Sequence, residues 1–323
     1  MKILVTGANG LLATNTIEYL TAAGYEVKGL IRDKSKFHLN NTEIELVQAD
    51  LRNKTEVEKA VEHCECIVHI AAVTAPALLK YEDYEEVNVT GTEILLKAAA
   101  AGEVRKFIYI SSATTIGYGT KDRPGNEKMP VKKPFSGSHY TCSKIEAEKK
   151  VLSFADKMEV MVLNPSFILG PYDTGPGSGK IILMGYNKRI VFCPPGGKNF
   201  VNAKDIARAI GAAIKQGKNG ESYLVTHENL SYKEFFSRLA QKNEQETIIY
   251  EIPPFLLLSA GKLGDLLRFF GIKTAISSVN MKILCVKNFY SNTKVREELN
   301  VDFTSIDFGI KEAVKWFKKK KML

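Results

Sequence analysis

No run of about 18 or more uninterrupted apolar residues occurs in this 323-residue chain, so no segment reads as a membrane-spanning helix. The opening MKILVTGANG reaches glycine and asparagine too early to provide the apolar stretch of a signal peptide. Five cysteines (Cys64, Cys66, Cys142, Cys193 and Cys285) are an odd set without a metal-type CxxC pair, which points to reduced thiols in a cytoplasmic protein. The five histidines, His38, His63, His69, His139 and His227, fall at no metal-ligand spacing, so no metal site is expected. The net charge of +9 is 45 basic minus 36 acidic residues, and Lys318, Lys319, Lys320 and Lys321 supply four of the positives, just after Lys315. This tail has no interleaved aromatic platform, so it reads as the solvated end of a last helix and not as a nucleic-acid site. The remaining mild excess suits an anionic cofactor.

With 45% hydrophobic residues the chain can bury a large core. Its first half alternates short apolar runs with helical patterns, the signature of a parallel sheet covered on both faces. Strands are predicted at 3–5, 26–31, 44–47, 66–70, 106–110 and 160–163, and helices at 11–22, 84–101 and 139–154. Past Pro165 the rhythm changes, and the glycine- and proline-rich stretch 170–197 suggests loops around a cleft. A helix over 205–215 and a strand over 222–225 return to the first domain. Ser231, with Glu234 three residues on, predicts a capping box for a helix through Ala240. The expected organisation is α/β: a Rossmann-type doubly wound parallel sheet over 1–166, rejoined by 200–226, with 167–323 forming most of a smaller substrate-binding lobe.

The stretch 252–272 is the most apolar. Lys262, Asp265 and Arg268 recur there at three-residue spacing and mark one polar face of an amphipathic helix. A helix facing a substrate pocket or a dimer partner is the first expectation, and docking on a membrane surface is the alternative.

Two motifs carry chemistry. Thr6-Gly7-Ala8-Asn9-Gly10-Leu11-Leu12-Ala13 follows the first strand and opens the first helix. Glycines there let the backbone turn tightly and approach a pyrophosphate, whose charge sits on the helix N-terminus. Gly7, Asn9, Gly10, Leu11 and Leu12 are therefore expected at a dinucleotide, with Ala13 where a third glycine often stands. At the end of the second strand an acid would bond the ribose 2′-hydroxyl, but the chain has Arg32. A guanidinium can clamp a 2′-phosphate, so NADP(H) is expected as the preferred cofactor, while the adjacent Asp33 keeps NAD(H) open. The second motif is Tyr140-Thr-Cys-Ser-Lys144, whose spacing of four puts phenol and ammonium on one helical face. A nearby ammonium should favour the phenolate and make Tyr140 a better proton donor. Ser111 and Ser112 close the preceding strand and offer a hydroxyl to a substrate oxygen.

In this combination the chain resembles the extended short-chain dehydrogenases/reductases, the NAD-dependent epimerase/dehydratase superfamily, and within them the dihydroflavonol reductase and hydroxysteroid dehydrogenase branch. TGANGLLA, Asp50-Leu51, His69-Ile-Ala71-Ala72, Asn88-Val-Thr-Gly91-Thr92, YISSATTIGYG and YTCSKIEAEKKVL occur in that family's order, and FVNAKDIARAI and ESYLVTHENLSYKEF extend the match. The resemblance implies that Asp50 and Leu51 bracket the adenine and that Ala71 and Ala72 line the dinucleotide. It implies that Asn88 supports the sheet or a water near Lys144, and that Pro165 and Ser166 lie against the nicotinamide. Ser112 matches the catalytic hydroxyl best, with Ser111 and Thr114 as competitors. Ala113, Thr114 and Thr115 stand where sugar-nucleotide dehydratases carry an acidic pair, and Asn164 stands where epimerases commonly have arginine.

The expected reaction is thus hydride transfer between a nicotinamide and a ketone, aldehyde or secondary alcohol, with Ser112, Tyr140 and Lys144 as the catalytic set. Tyr118, Phe167, Tyr172 and Phe200 are expected to wall the pocket, though Phe167 also reads as plain core. The rivals are a sugar-nucleotide epimerase and a non-catalytic cofactor sensor of the same fold. A homodimer is expected through helices 84–101 and 139–154, whose Leu95, Ala98, Ala101 and Leu152 would meet a second copy.

Overall fold

The computed structural model describes residues 1–39, 44–175 and 177–323. Strands β1 (Lys2–Thr6), β2 (Glu26–Ile31), β3 (Glu45–Gln48), β4 (Cys66–His69), β5 (Lys106–Ile110) and β6 (Glu159–Pro165) alternate with α1 (Leu11–Ala22), α2 (Lys54–Val61), α3 (Glu82–Glu85), α4 (Thr92–Ala101) and α5 (His139–Leu152). Then come β7 (Phe167–Leu169), α6 (Lys180–Gly185), β8 (Ile190–Cys193), β9 (Gly197–Asn202), α7 (Ala203–Gln216) and β10 (Ser222–Val225). The chain continues through β11 (Glu228–Ser231), α8 (Tyr232–Lys242), β12 (Ile248–Glu251), α9 (Pro254–Phe269), α10 (Ser278–Cys285), β13 (Lys287–Asn288), α11 (Thr293–Leu299) and α12 (Ile306–Lys319).

The main sheet runs β10-β6-β5-β4-β1-β2-β3, and each neighbouring pair is parallel. Its strands are buried on both faces, so they read in sequence as near-continuous apolar runs. One face packs Ile3 and Val5 with Ile17 and Leu20 of α1 and Ile206 and Ile210 of α7. The other packs Leu4, Ile67 and Phe107 with Val57, Leu96 and Val151 of α2, α4 and α5. The strand order reverses between β1 and β4, and the loops leaving their C-terminal ends part there and open a crevice.

The smaller lobe has a sheet ordered β11-β9-β13 with β7 beside β9, and a parallel β8–β12 pair. Its core gathers Phe200, Phe235, Phe236, Trp316 and Phe317 between α8, α12 and the sheet. The Ser231–Glu234 capping box starts α8 as expected.

The structure departs from the expected elements, or adds to them, at four places. The helix predicted over 84–101 is interrupted by a π-turn at Glu86–Gly91, where the Asn88 side chain bonds across to Val73 and Ser143. Helix α2 has no counterpart among the predicted elements: it is eight residues long, half of them charged, and its start is set by Asn53 capping Glu56 N. Leu95 is fully buried against the sheet, so it cannot belong to an outer face of α4. In α9 the large apolar side chains face outward, because the helix packs through Gly261 and Gly264.

Candidate active site

At the crevice, Gly7 has φ +70°, and a Cβ on it would stand 3.0 Å from Ala71 Cα. Only glycine fits both demands. Gly10 N donates to Gly7 O at 2.8 Å and closes the turn. Gly10 then caps α1 without a side chain, and the first turn contains no acid. Unpaired N–H groups and the positive end of the helix dipole therefore meet the crevice, beside half-exposed Asn9 and Leu11. Leu12 and Ala13 are buried beneath them. Thr6 Oγ1 accepts from Ile70 N (3.0 Å) and Ala71 N (3.1 Å) and pairs with His69 Nδ1 at 2.7 Å, which locks β1 to β4 and sets Ala71 and Ala72 along the same wall. His69 bonds Thr92 through its other nitrogen, and burial pushes its pKa down to about 3, so it is a neutral structural group.

Arg32 is exposed just past β2, with no hydrogen-bond or ion-pair partner among the described residues. Asp50 is engaged: Arg52 donates to its carboxylate through Nε (3.0 Å) and Nη2 (2.8 Å) and holds its pKa down to about 2, with Arg32 adding a smaller charge effect. Leu51 is buried in the core, against Gly91. An uncapped helix start without an acid and an exposed guanidinium together fit a phosphate-bearing dinucleotide.

The end of β5 separates the three candidate hydroxyls. Ser111 is 5% exposed, and its hydroxyl faces Glu148, whose pKa it lowers. Ser112 Oγ accepts from Thr114 Oγ1 at 3.0 Å and Thr114 N at 3.3 Å, so its own proton remains to be donated. Thr114 in turn accepts from Thr141 of α5 at 3.3 Å. Thr114 thus orients Ser112.

Burial pushes the Tyr140 phenol up to about 12, and the Ser112 hydroxyl beside it acts in the opposite direction. Glu148 and Tyr84, whose ring lies 6.4 Å from that of Tyr140, push the same way as burial. The phenol is thus raised and not lowered, contrary to the expectation from the Tyr140–Lys144 spacing. Lys144 Nζ turns toward β5, donates to Ile110 O at 2.7 Å and lies 4.2 Å over the Tyr109 ring. Burial draws Lys144 down to about 7, against the opposing charge of Glu148.

Glu148 escaped the sequence reading, although it continues the Tyr140–Lys144 face by another four residues. Its Oε1 accepts from Asn164 Nδ2 (2.6 Å) and Thr115 Oγ1 (2.8 Å), while burial raises its pKa. Pro165 is buried at the end of β6, and Ser166 donates to Asn199 Oδ1 at 2.6 Å, joining the two lobes. Asn88 meets Val73 through both ends of its amide and donates to Ser143, which ties the loop after β4 to α5.

Of the expected wall residues, Phe200 is fully buried and stacked on Phe235, so it is core. Tyr172 donates to Glu18 and meets Trp316, which fastens the lobe to α1. Tyr118 and Phe167 are half-buried. Lys198, also missed, stands 5.1 Å over the Phe167 ring, and burial pushes it down to about 8. Its basic character was indistinguishable in sequence from that of any surface lysine.

The sequence profile of the NAD dependent epimerase/dehydratase family matches residues 3–226. Sterol demethylase protein B of Methylococcus capsulatus is 30% identical over 100% of both chains. A candidate dihydroflavonol 4-reductase of Synechocystis is 27% identical over 97% of this chain and 93% of its own. The crystal structure of gox2253 superposes with a TM-score of 0.84 at 26% identity, covering 98% of both chains.

Proposed function

Because the chain belongs to the NAD dependent epimerase/dehydratase family, we propose that it reduces a ketone or aldehyde, or oxidises the corresponding secondary alcohol, with NADP(H) preferred over NAD(H). The observation that carries this reading is the arrangement at Ser112: Thr114 saturates its lone pairs and leaves its proton beside the Tyr140 phenol.

Gly7, Gly10 and the start of α1 would hold the pyrophosphate, Arg32 the 2′-phosphate, and Ala71, Ala72, Pro165 and Ser166 the length of the dinucleotide. The bound nicotinamide supplies the hydride. Ser112 donates to the substrate oxygen and orients it. Tyr140 gives that oxygen its proton; a phenol near 12 keeps the proton throughout the neutral range and suits the donating direction. Lys144 would meet the nicotinamide ribose and keep the local field positive.

An uncharged, largely apolar substrate is supported by the likeness to sterol demethylase protein B and to a candidate dihydroflavonol 4-reductase. Asn164 supports the same preference over a sugar-nucleotide epimerase: its Nδ2 donates to Glu148 and Thr115, so a structural amide stands where an arginine would grip a second pyrophosphate. NADPH absorbance followed across a panel of apolar ketones and alcohols tests the reading. Tightly retained NAD without net redox turnover would favour the epimerase instead.

A further inference from the structure

Helix α9 is built inside out. Phe255, Leu256, Leu263, Leu266, Phe269 and Phe270 are between 50% and 83% exposed. Its packing face is glycine: a Cβ at Gly261 would stand 2.9 Å from Ser278 Cα, and one at Gly264 only 2.1 Å from Ile276 O. No larger side chain fits between α9 and the 276–281 segment, so close packing itself turns the leucines and phenylalanines outward. Two of its polar residues hold neighbouring backbone. Arg268 donates to Thr274 O (2.7 Å) and Leu78 O (2.6 Å), and Asp265 accepts from Ser278 N at 3.0 Å.

The charge around this apolar face has one sign. Residues 252–287 contain five basic side chains (Lys262, Arg268, Lys273, Lys282 and Lys287) and one acid, the backbone-bound Asp265. All four lysines are exposed. Self-pairing of this face would bring those lysines toward their own copies, whereas an anionic surface complements them. An apolar face of neighbouring exposed phenylalanines and leucines marks an interaction surface.

The hairpin also borders the candidate active site. Its Arg268 and Asn280 bond the carbonyls of Leu78 and Pro76, and the neighbouring Ala75 O accepts from Tyr84, whose ring faces Tyr140. Val279 of α10 lies beside Gly137, just ahead of α5.

We propose that α9 is an interfacial anchor for an anionic lipid bilayer, seating its Phe and Leu face among the acyl chains and its lysines among the phosphates, with the mouth beside Tyr140 turned toward the membrane. It does not span: among the described residues no helix is long and apolar enough to cross. The membrane contact stands apart from the reaction proposed above, while the placing of the mouth rests on that reading.

The test is co-sedimentation of the full chain with vesicles of phosphatidylcholine alone and of phosphatidylcholine with about one-third phosphatidylglycerol, with light scattering in parallel. The chain should sediment with the anionic vesicles and much less with the neutral ones. Phe269→Ser with Phe270→Ser should lower the partition coefficient about tenfold or more. Lys262→Gln with Lys273→Gln should lower it about fivefold per lysine. These residues are exposed, so melting temperature and solution mass should stay at wild-type values. Three results would overturn the proposal: no sedimentation with anionic vesicles, sedimentation that ignores lipid charge and the lysines, or a fall in solution mass on replacing the two phenylalanines, which would assign the face to a second copy.

Discussion

Asn164 Nδ2 donates to Glu148 Oε1 at 2.6 Å, tying the end of β6 to the face of α5 that carries Tyr140 and Lys144. Glu148 raises the pKa of Lys144 and of Tyr140 by its charge, so it is a positioning residue for both. Glu148→Gln keeps an oxygen for Asn164 and Thr115 but removes the charge. With Lys144 near 7, kcat/KM should decline as pH rises through about 7, and the variant should begin that decline at lower pH. A pH profile of both enzymes checks this. An alkaline limb that stays in place, or moves up, would remove Glu148 from the account.

Burying Lys144 has a cost that stability should show. Its pKa falls from 10.5 to about 7 on folding, so between those values the unfolded chain holds a proton that the folded chain lacks. Stability therefore rises with pH across that window, and the cost is largest below about 7. Lys144→Met should stabilise the fold near pH 6 by on the order of 1–3 kcal/mol and lose that gain as pH approaches the unfolded value. Activity should be lost at every pH. Denaturant melts at several pH values are the measurement, and a variant less stable throughout would show that Lys144 is structural.

Arg32 is expected to set cofactor choice. Arg32→Ala should weaken NADPH binding by roughly 10- to 100-fold, the range of one charge-assisted hydrogen-bond pair, and leave NADH nearly unchanged. Fluorescence titration of both nucleotides decides it. Equal affinities in the unaltered protein, or a preference for NADH that survives the substitution, would return the ribose to Asp33 or to a backbone group.

Where a residue's place follows from local periodicity, the sequence was readable. The bounds of α1, β2, β5 and β10 are those predicted, because buried parallel strands and a glycine-closed helix leave strong patterns. The site is legible to the extent that it is sequential, as in the glycine turn and the Tyr140–Lys144 spacing. What depends on contacts across the fold was not. The direction taken by Lys144 is set by Ile110 O on another element, and the orientation of the Ser112 hydroxyl by Thr114 and Thr141. Phe200 looked like a pocket wall because an aromatic in a variable segment carries no mark of its stacking partner, Phe235. The outward turn of α9 needed knowledge of what Gly261 and Gly264 approach.

The most direct measurement is turnover of Tyr140→Phe with NADPH and a substrate identified for the unaltered protein. The ring and its contact with Tyr84 remain, and only the transferable proton goes. Turnover should fall by about 100-fold or more while NADPH affinity and melting temperature hold nearly constant. A Tyr140→Phe protein that reduces that substrate at the normal rate would contradict the assignment of Tyr140 as the proton donor.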